Sequence, residues 1–428
     1  MTLVRRRHVI YVQGYDPRGL AEYHRLFRTE YRKFCKLYNL DGNIGNRSDT
    51  PGRFTTTWPV VTQGHDWRVE TTYEFLRWED IIRRDFERPA WRVILISVCA
   101  ILISLFDGSY ARILRAHWRF GVFLAYPFTL LLGWTLLSAV AGIIVAEIAA
   151  SFTTAPALPQ LLGFISACAV FVPLLKLTEP ATYMIYIFQD AASTMQYVRR
   201  QRPDWDERLE AFAGYVVEAA RAAAVDEIFI VGHSSGSFLA VDVLTRALMR
   251  DPKLGAHGVR VTLLTVGANL PIVGFHPRAG WFRDRLAHLA AQPSIDWVDY
   301  QSRRDIMNFF RFDPLAAHGI DPQQSKINLR VVPVQFREIV SPKTFSRLCW
   351  HFFEMHFQFL RANERPAAYD YFMIVAGPFS LRTRLAMPAE VTAAVAGDKE
   401  AARAAWDRLA SKPDGETGNL AAPVSQKS

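Results

Sequence analysis

The stretch from Asp226 to Met249 constrains the fold of this chain most, because it encodes a strand, a sharp turn and a helix without interruption. Residues Glu227–Val231 form a β-prone apolar run of the kind that is buried on both faces of a sheet. Residues Ser237–Met249 carry apolar side chains at helical spacing and include neither Pro nor Gly. The sequence therefore predicts a strand that turns directly into a helix.

The turn has the pattern Gly-x-Ser-x-Gly at Gly232, Ser234 and Gly236, and is called the Ser234 turn below. A serine on such a turn has a strained backbone, so its flanking positions need residues without side chains. The Ser234 hydroxyl is then presented at the tip, and the backbone N–H of Ser235 faces the same space from the start of a helix. That end of a helix favours a developing oxyanion. The pattern favours a catalytic serine, and the alternative is a tight turn whose serine does no chemistry.

Three apolar segments, 93–106, 120–146 and 158–175, follow one another in the first half of the chain. A helix that spans a bilayer needs about 20 apolar residues. The second segment contains no charge and the third is just long enough, whereas the first is too short and is predicted to be re-entrant or interfacial. Hydrophobic residues make up 50% of the chain and aromatic residues 13%, which is high for a soluble enzyme. The segments therefore predict two spanning helices, and the alternative is a set of buried core helices.

Positive charge on the flanks predicts how these helices are oriented. The linker 107–119 carries three arginines and residues 83–92 carry four, whereas the turn 147–157 has no Lys or Arg. By the positive-inside rule the basic ends are cytoplasmic. An even number of crossings also leaves the first strand and the Ser234 turn on one side. The Ala/Arg-rich composition suggests a bacterial inner membrane with the globular part in the cytoplasm, although an intracellular eukaryotic membrane fits the same pattern.

The formal net charge is +9, so an anionic partner is expected. The chain has no zinc-finger spacing, no aromatic RNA-binding motif and no basic tract beyond Arg5–Arg7, which favours lipid head groups over nucleic acid. The four cysteines are far apart and form no Cys-x-x-Cys motif. They predict neither a metal site nor a disulfide framework, and no cofactor is expected.

With Gly-x-Ser-x-Gly between a strand and a helix, the chain resembles the α/β-hydrolase superfamily, which contains lipases and esterases. The resemblance covers Arg7–Gly19 and about Ala211–Leu360. It implies an α/β fold with a mostly parallel sheet flanked by helices, here with inserted transmembrane helices. The implied domain plan has an N-terminal hydrolase part, a membrane insertion, a C-terminal hydrolase part and an Ala-rich tail predicted to be disordered, at residues 1–90, 91–178, 179–386 and 387–428.

The catalytic order in this family is Ser, then Asp or Glu, then His. The acid follows a late strand, which is predicted here at Ile295–Gln301. Asp305 comes soon after that strand and is the predicted acid. Asp299 lies inside the strand and Asp313 lies further out, so both rank behind it.

The base is expected after the next strand, predicted at Leu329–Phe336. His356 is the preferred base and His351 is the alternative, and both fall on a predicted helix at Phe345–Arg361. His318 precedes the strand and is disfavoured for that reason.

The family draws its second oxyanion donor from the loop after an early strand, often with the sequence His-Gly. This chain has Gln13-Gly14-Tyr15-Asp16 after the predicted strand Arg7–Gln13, with Gln in place of His. The resemblance makes the backbone N–H of Tyr15, next to Gly14, the candidate donor. His233, inside the Ser234 turn, is predicted to be a packing residue.

These features together predict a membrane-anchored serine hydrolase that cleaves carboxylic esters through a Ser-His-Asp triad and an acyl-enzyme. A lipid or acylated substrate is expected because the helices would tether the enzyme beside the bilayer. The alternatives are a thioesterase, acyltransferase or peptidase of the same fold, and a catalytically inactive membrane scaffold. Oligomeric state and substrate head group do not follow from the sequence.

Overall fold

The computed structural model describes residues 3–155, 157–222, 224–256, 258–320, 329–395 and 399–410. Contacts divide the chain into two units. The sheet unit comprises residues 1–84 and 197–428, and the apolar-helix unit comprises residues 85–196. The sheet unit is therefore discontinuous in sequence, and the apolar-helix unit is inserted into it.

The sheet unit contains one mixed sheet in the order β2-β4-β5-β1-β6-β7-β8-β9, with β3 paired to β4. Every pairing from β5 to β9 along this order is parallel, and β2, β3 and β4 add an antiparallel edge. The predicted α/β class with a mostly parallel sheet is confirmed at this level. The strands are β1 Arg6–Val12, β2 Asp41–Ile44, β3 Ser48–Asp49, β4 Thr55–Gln63, β5 Arg68–Leu76, β6 Glu227–His233, β7 Arg260–Val266, β8 Ile295–Ser302 and β9 Leu329–Val334.

Helices make up most of the rest of the described chain. The α-helices are α1 Gly19–Tyr38, α2 Glu79–Phe86, α3 Ala90–Phe106, α4 Ser109–Ala116, α5 Trp118–Ala150, α6 Ala157–Thr182, α7 Met184–Val198, α8 Pro203–Ala222, α9 Gly236–Arg250, α10 Pro271–Gly274, α11 Gly280–Ala290, α12 Phe336–Ile339, α13 Pro342–Leu348, α14 Phe352–His356, α15 Tyr371–Ala376, α16 Leu381–Ala386, α17 Pro388–Val395 and α18 Lys399–Ala410. Two 3₁₀ turns lie at Ala316–His318 and Phe357–Leu360.

The strand order places a topological switch between β1 and β6. After β1 the chain builds β2 to β5 on one side of that strand, and after β6 it moves to β7 on the other side. Since the two connections diverge, they leave a crevice at the carboxyl ends of β1 and β6, where open α/β sheets bind ligands. The loop after β1 and the Ser234 turn after β6 both start at this crevice.

One large hydrophobic core covers a face of the sheet and includes the C-terminal helices. Tyr23 and Phe27 of α1 pack in it with Val9 of β1. The region predicted as a disordered tail, 387–428, contains α17 and α18. Val391 and Leu409 from these helices are buried in the same core, because the Ala-rich sequence still provides an apolar stripe. Residues 411–428 of that region lie outside the described residues.

The single helix predicted at Phe345–Arg361 is wrong. The structure has two short helices, α13 and α14, and then a 3₁₀ turn, with a break at residues 349–351. His351 at this break has a non-helical backbone, and His356 is the last residue of α14. Of the two candidate bases, His351 therefore lies in the break and His356 lies at the end of the helix that follows it.

In the apolar-helix unit, α5 and α6 are long and apolar enough to cross a membrane. Only 11% of the most apolar stretch of α5 and 6% of that of α6 are buried. This exposure argues against the alternative that they are core helices. The helix α3 passes the same test only together with the short helix α2 before it, as a bent pair.

Two glycines let α5 and α6 approach each other closely. A Cβ on Gly142 would lie 2.6 Å from the carbonyl oxygen of Gly163, and a Cβ on Gly163 would lie 2.6 Å from the carbonyl oxygen of Gly142. Because the obstructing atoms are backbone, neither can move without separating the helices. Small residues at such crossings are typical of helix pairs in membranes.

Replacing Gly142 with alanine is expected to destabilise the α5–α6 pair by about 1–3 kcal/mol, since the added methyl group overpacks a backbone contact. Thermal unfolding in detergent should show this as a lower midpoint. Gly133→Ala on the same helix is the matched control, because nothing lies within 4 Å of a Cβ at that position. Equal midpoints for both variants would contradict the packing described here.

Candidate active site

The Ser234 turn has the backbone geometry that its sequence predicts. Ser234 lies in the left-handed region at φ 58°, which is costly for a residue with a side chain and is observed at strained functional turns. A Cβ on Gly232 would lie 2.6 Å from the carbonyl oxygen of Gly236, and a Cβ on Gly236 would lie 2.2 Å from that of Val12. Both glycines are therefore required by close backbone contacts, and the serine between them is only partly buried.

The loop after β1 contacts this turn directly. A Cβ on Gly14 would lie 3.1 Å from Cβ of Ser234 and 3.5 Å from the backbone nitrogen of Ser235. Tyr15, the next residue, is buried with its ring 6.0 Å from that of Trp78. The structure thus brings Gly14, Ser234 and Ser235 together at the switch between β1 and β6.

Asp305 and His356 form a buried pair. Oδ2 of Asp305 lies 2.7 Å from Nδ1 of His356, and the two side chains are 0% and 1% exposed. In this pair Nδ1 donates its hydrogen to the carboxylate, so the neutral ring carries its lone pair on Nε2. The Nε2 atom is buried and has no hydrogen-bond partner within the described residues. A buried acceptor without a partner is unusual in a folded protein and points to a group that is used in another state.

The loop that carries Asp305 is braced by Asn308. The Asn308 side chain donates to the carbonyl oxygens of Ser302 and Asp305 at 2.8 and 2.7 Å, and accepts from the backbone nitrogen of Ser302 at 3.1 Å. The other oxygen of Asp305, Oδ1, accepts from the backbone nitrogen of Met307 at 2.9 Å. The Asp305 carboxylate is thereby held in one orientation after the end of β8.

Contacts through Gly267 place His356 beside the Ser234 turn. The backbone nitrogen of Ser234 donates to the carbonyl oxygen of Val266 at 3.3 Å. A Cβ on the next residue, Gly267, would lie 2.9 Å from Cε1 of His356. Gly267 has φ 57°, so both the conformation and the lack of a side chain suit glycine at this position.

His233 was predicted only to pack, yet it contacts the imidazole of His356. The two ring centroids are 4.5 Å apart at an angle of 32°, and Nε2 of His233 lies 3.3 Å from the carbonyl oxygen of His356. Burial lowers the pKa of His233 well below its usual range, and the neighbouring His356 lowers it further. A neutral His233 can therefore pack against the His356 ring without placing a positive charge beside it. A Gly-His-Ser sequence gives no sign of a contact 123 residues away.

Gln13 is a second feature that sequence reasoning did not assign. Its side chain is fully buried, and both amide atoms lack hydrogen-bond partners within the described part of the chain. The backbone carbonyl oxygen of Gln13 accepts a hydrogen bond from Nε1 of Trp78 at 3.2 Å, which fixes the start of the loop after β1. An unpaired buried amide lowers the free energy of unfolding by about 1–3 kcal/mol. The presence of Gln13 is therefore explained better by a hydrogen-bond partner in a ligand-bound state than by a contribution to stability.

The other predicted candidates lie elsewhere. His351 is exposed, and its Nδ1 lies 2.9 Å from the carbonyl oxygen of Arg347. His318 packs against Phe275. Asp313 accepts from the backbone nitrogens of Leu315 and Ala316 as the start of a 3₁₀ turn.

Asp299 is buried inside β8, where it accepts from Thr265 and Gln301, both at 2.7 Å. Burial raises its pKa to about 6, above the ordinary value of 3.8. Because the pKa is higher in the folded protein than in the unfolded chain, the protonated carboxyl group contributes its full stabilisation below about pH 4. This stabilisation is lost as the pH rises through 6. Asp299 is thus a structural carboxyl group.

Asp299→Asn is expected to raise the free energy of unfolding at pH 7 by about 2–3 kcal/mol and to have little effect near pH 4. The change in melting temperature relative to the unchanged protein should be measured at both pH values. Asp305→Asn is the comparison, because its carboxylate is paired with His356. A stabilisation by Asp299→Asn that does not depend on pH would contradict the buried-acid interpretation.

No group of three or more His, Cys, Asp or Glu side chains suited to a metal ion occurs among the described residues. The features that converge at the switch are instead a hydroxyl, an imidazole–carboxylate pair and backbone N–H groups. No family model matches this chain. Comparisons with curated proteins and with solved structures give no significant match either.

Proposed function

We propose that this protein is a membrane-anchored serine hydrolase that cleaves carboxylic esters, with Ser234, His356 and Asp305 as its triad. The observation that carries the proposal is the buried His356–Asp305 pair beside the Ser234 turn, with Nε2 of His356 unpartnered among the described residues. A serine in a strained turn, a base near it and an orienting carboxylate are the parts that acyl transfer needs.

In the proposed first step, Oγ of Ser234 attacks the ester carbonyl carbon while Nε2 of His356 takes the hydroxyl proton. The C–O bond to the leaving group then breaks, and the imidazolium returns the proton to the departing alkoxide. Asp305 remains ionised, holds the ring through Nδ1 and stabilises its positive charge. Water then attacks the acyl-enzyme with His356 again as base, which releases the acid and restores Ser234.

The oxyanion of each tetrahedral intermediate is assigned to the backbone N–H groups of Ser235 and Tyr15. The contact of Gly14 with both Ser234 and the Ser235 nitrogen supports this assignment, because it brings the loop after β1 to the reacting serine. The Ser235 nitrogen also lies at the start of α9, where the helix dipole favours negative charge. Two such donors lower the barrier by several kcal/mol in related chemistry.

The same proposal places the chain in the α/β-hydrolase superfamily. The parallel order β5-β1-β6-β7-β8-β9, with the serine after β6 and the acid after β8, supports that placement. Membrane anchoring is supported by α5 and α6, and the positive charge on their flanks supports a cytoplasmic sheet unit at a bacterial inner membrane.

A fluorophosphonate probe and an ester panel test the proposal with the full chain in detergent. We expect covalent labelling of the folded protein and hydrolysis of carboxylic esters, with long acyl chains preferred over short ones. Thioesters, peptides and acyl acceptors belong in the same panel, because they separate an esterase from the other reactions that the triad supports. A folded protein that neither reacts with the probe nor turns over any substrate would overturn the proposal and leave a scaffold role.

A further inference from the structure

The segment that leads to His356 carries an exposed tryptophan. Trp350 is 87% exposed, more than any other large hydrophobic side chain described in the sheet unit. It lies in the break between α13 and α14, and its neighbours Cys349 and His351 are exposed as well. A single exposed apolar side chain is common on protein surfaces, so the groups around Trp350 decide whether this turn is a binding surface.

The exposure of Trp350 belongs to an ordered turn. Leu348 before it and Met355 after it are buried in the core. The backbone nitrogen of Trp350 donates to the carbonyl oxygen of Arg347 at 3.1 Å, and that of His351 donates to Leu348 at 3.0 Å. The buried residues on either side of the turn therefore hold Trp350 outward, and its exposure is part of the fold.

The segment around this tryptophan has a small excess of positive charge. From residue 337 to residue 361 the chain has four Lys or Arg and two Glu. Lys343 and Arg347 are exposed on α13, and Arg347 also forms an ion pair with Glu354 at 2.6 Å. Arg304, which precedes the acid Asp305, lies over the ring of Phe345 at 5.7 Å and brings a further cation to α13. The set Arg304, Lys343, Phe345, Arg347 and Trp350 is called the Trp350 surface below.

We infer that the Trp350 surface docks on an anionic lipid bilayer. Indole rings favour the head-group region of a bilayer, and nearby Lys and Arg are attracted to anionic lipids. The candidate spans α5 and α6 belong to the same chain, so a bilayer is the surface that this unit meets at high local concentration. A protein partner would also accept an exposed tryptophan, but the surrounding cations and the spans favour lipid.

Docking at this surface has a consequence for the substrate, which rests on the function proposed above. Trp350 is six residues before His356, and Arg304 is adjacent to Asp305. Insertion of the indole therefore brings the base and the acid loop to the lipid interface. The substrate class that fits is an ester held in the bilayer rather than one dissolved in water.

Cys349 allows the docking to be measured without any turnover. It is exposed, so a variant in which Cys35, Cys99 and Cys168 are replaced by alanine can be labelled there with an environment-sensitive fluorophore. The full chain is reconstituted in nanodiscs of phosphatidylcholine and phosphatidylglycerol that contain spin-labelled lipid. We expect blue-shifted emission that the spin-labelled lipid quenches. The control carries Cys349→Ser and Met249→Cys, because Met249 is exposed near the far end of α9, and its label should not be quenched.

Two further variants decide whether the lipid contact depends on the surface itself. Trp350→Gln should remove most of the quenching at residue 349, and Lys343→Gln should reduce lipid contact roughly fivefold in anionic discs. Absence of quenching at residue 349 in the parent would overturn the inference, and so would quenching that neither variant changes. A label shielded without lipid would assign the surface to a protein instead.

An activity measurement separates this inference from the proposed function. Trp350→Gln should lower hydrolysis of a long-chain ester embedded in anionic vesicles while leaving hydrolysis of a water-soluble short-chain ester unchanged. Loss of both activities would contradict a docking role. Quenching at residue 349 in a protein without esterase activity would retain the docking surface and overturn the hydrolase.

Discussion

Ser234→Ala is expected to abolish fluorophosphonate labelling and to reduce ester hydrolysis about a million-fold, to the level left by the remaining groups of the site. The reason is that the proposed reaction proceeds through a covalent bond to Oγ, and the adjacent Ser235 cannot replace it because its side chain is buried. The labelling of purified protein should be quantified after gel separation, and hydrolysis should be followed with a chromogenic ester. Unchanged labelling in this variant would refute the nucleophile assignment.

Two controls separate loss of chemistry from loss of fold. Ser48→Ala, at an exposed position in β3, should react like the unchanged protein. Ser234→Gly should be as inactive as Ser234→Ala but more stable by about 1 kcal/mol, because only glycine adopts the left-handed backbone at φ 58° without strain. A serine that lowers stability at its own position, and whose removal eliminates activity, is retained for chemistry.

Local sequence signals predict the Ser234 turn because most of its determinants are adjacent in the chain, and the close contact of Gly236 with Val12 is the exception. Two glycines in close contact with backbone, an apolar strand and a helical apolar pattern occur within about 20 residues. The same is true of α5 and α6, since the length and lack of charge of their central segments, 120–146 and 158–175, suffice to identify them. The strands predicted before Ser234 and Asp305 are also present, as β6 and β8 of one mostly parallel sheet.

Contacts between distant segments could not be predicted in the same way. The stacking of His233 on His356 depends on how α14 ends over the sheet, and the break between α13 and α14 contains neither Gly nor Pro to mark it. The Ala-rich C-terminal region resembles a tail in composition, yet α17 and α18 bury apolar side chains in the core. In each case the deciding interaction is tertiary, and the local sequence does not identify the segment against which these residues pack.

His356 and His351 were nearly equivalent candidates on the sequence, so a pair of variants at these positions is the sharpest test of the triad. His356→Gln should lower ester hydrolysis by a factor of about 10⁴ to 10⁶, because in the proposed mechanism His356 takes the Ser234 proton. His351→Ala should retain full activity, since His351 is exposed and bonds only to a backbone carbonyl in the described chain.

Removing His356 alone also leaves a carboxylate buried without its partner, which destabilises a protein by about 3–5 kcal/mol. Loss of activity in that variant could then reflect unfolding. The double variant His356→Gln/Asp305→Asn resolves this, because a neutral amide at each position removes the buried charge and keeps the size of both side chains. We expect the double variant to melt near the unchanged protein and to remain inactive. If it folds and hydrolyses esters, the buried pair is structural; if it folds and does not, His356 and Asp305 act in the chemistry at Ser234.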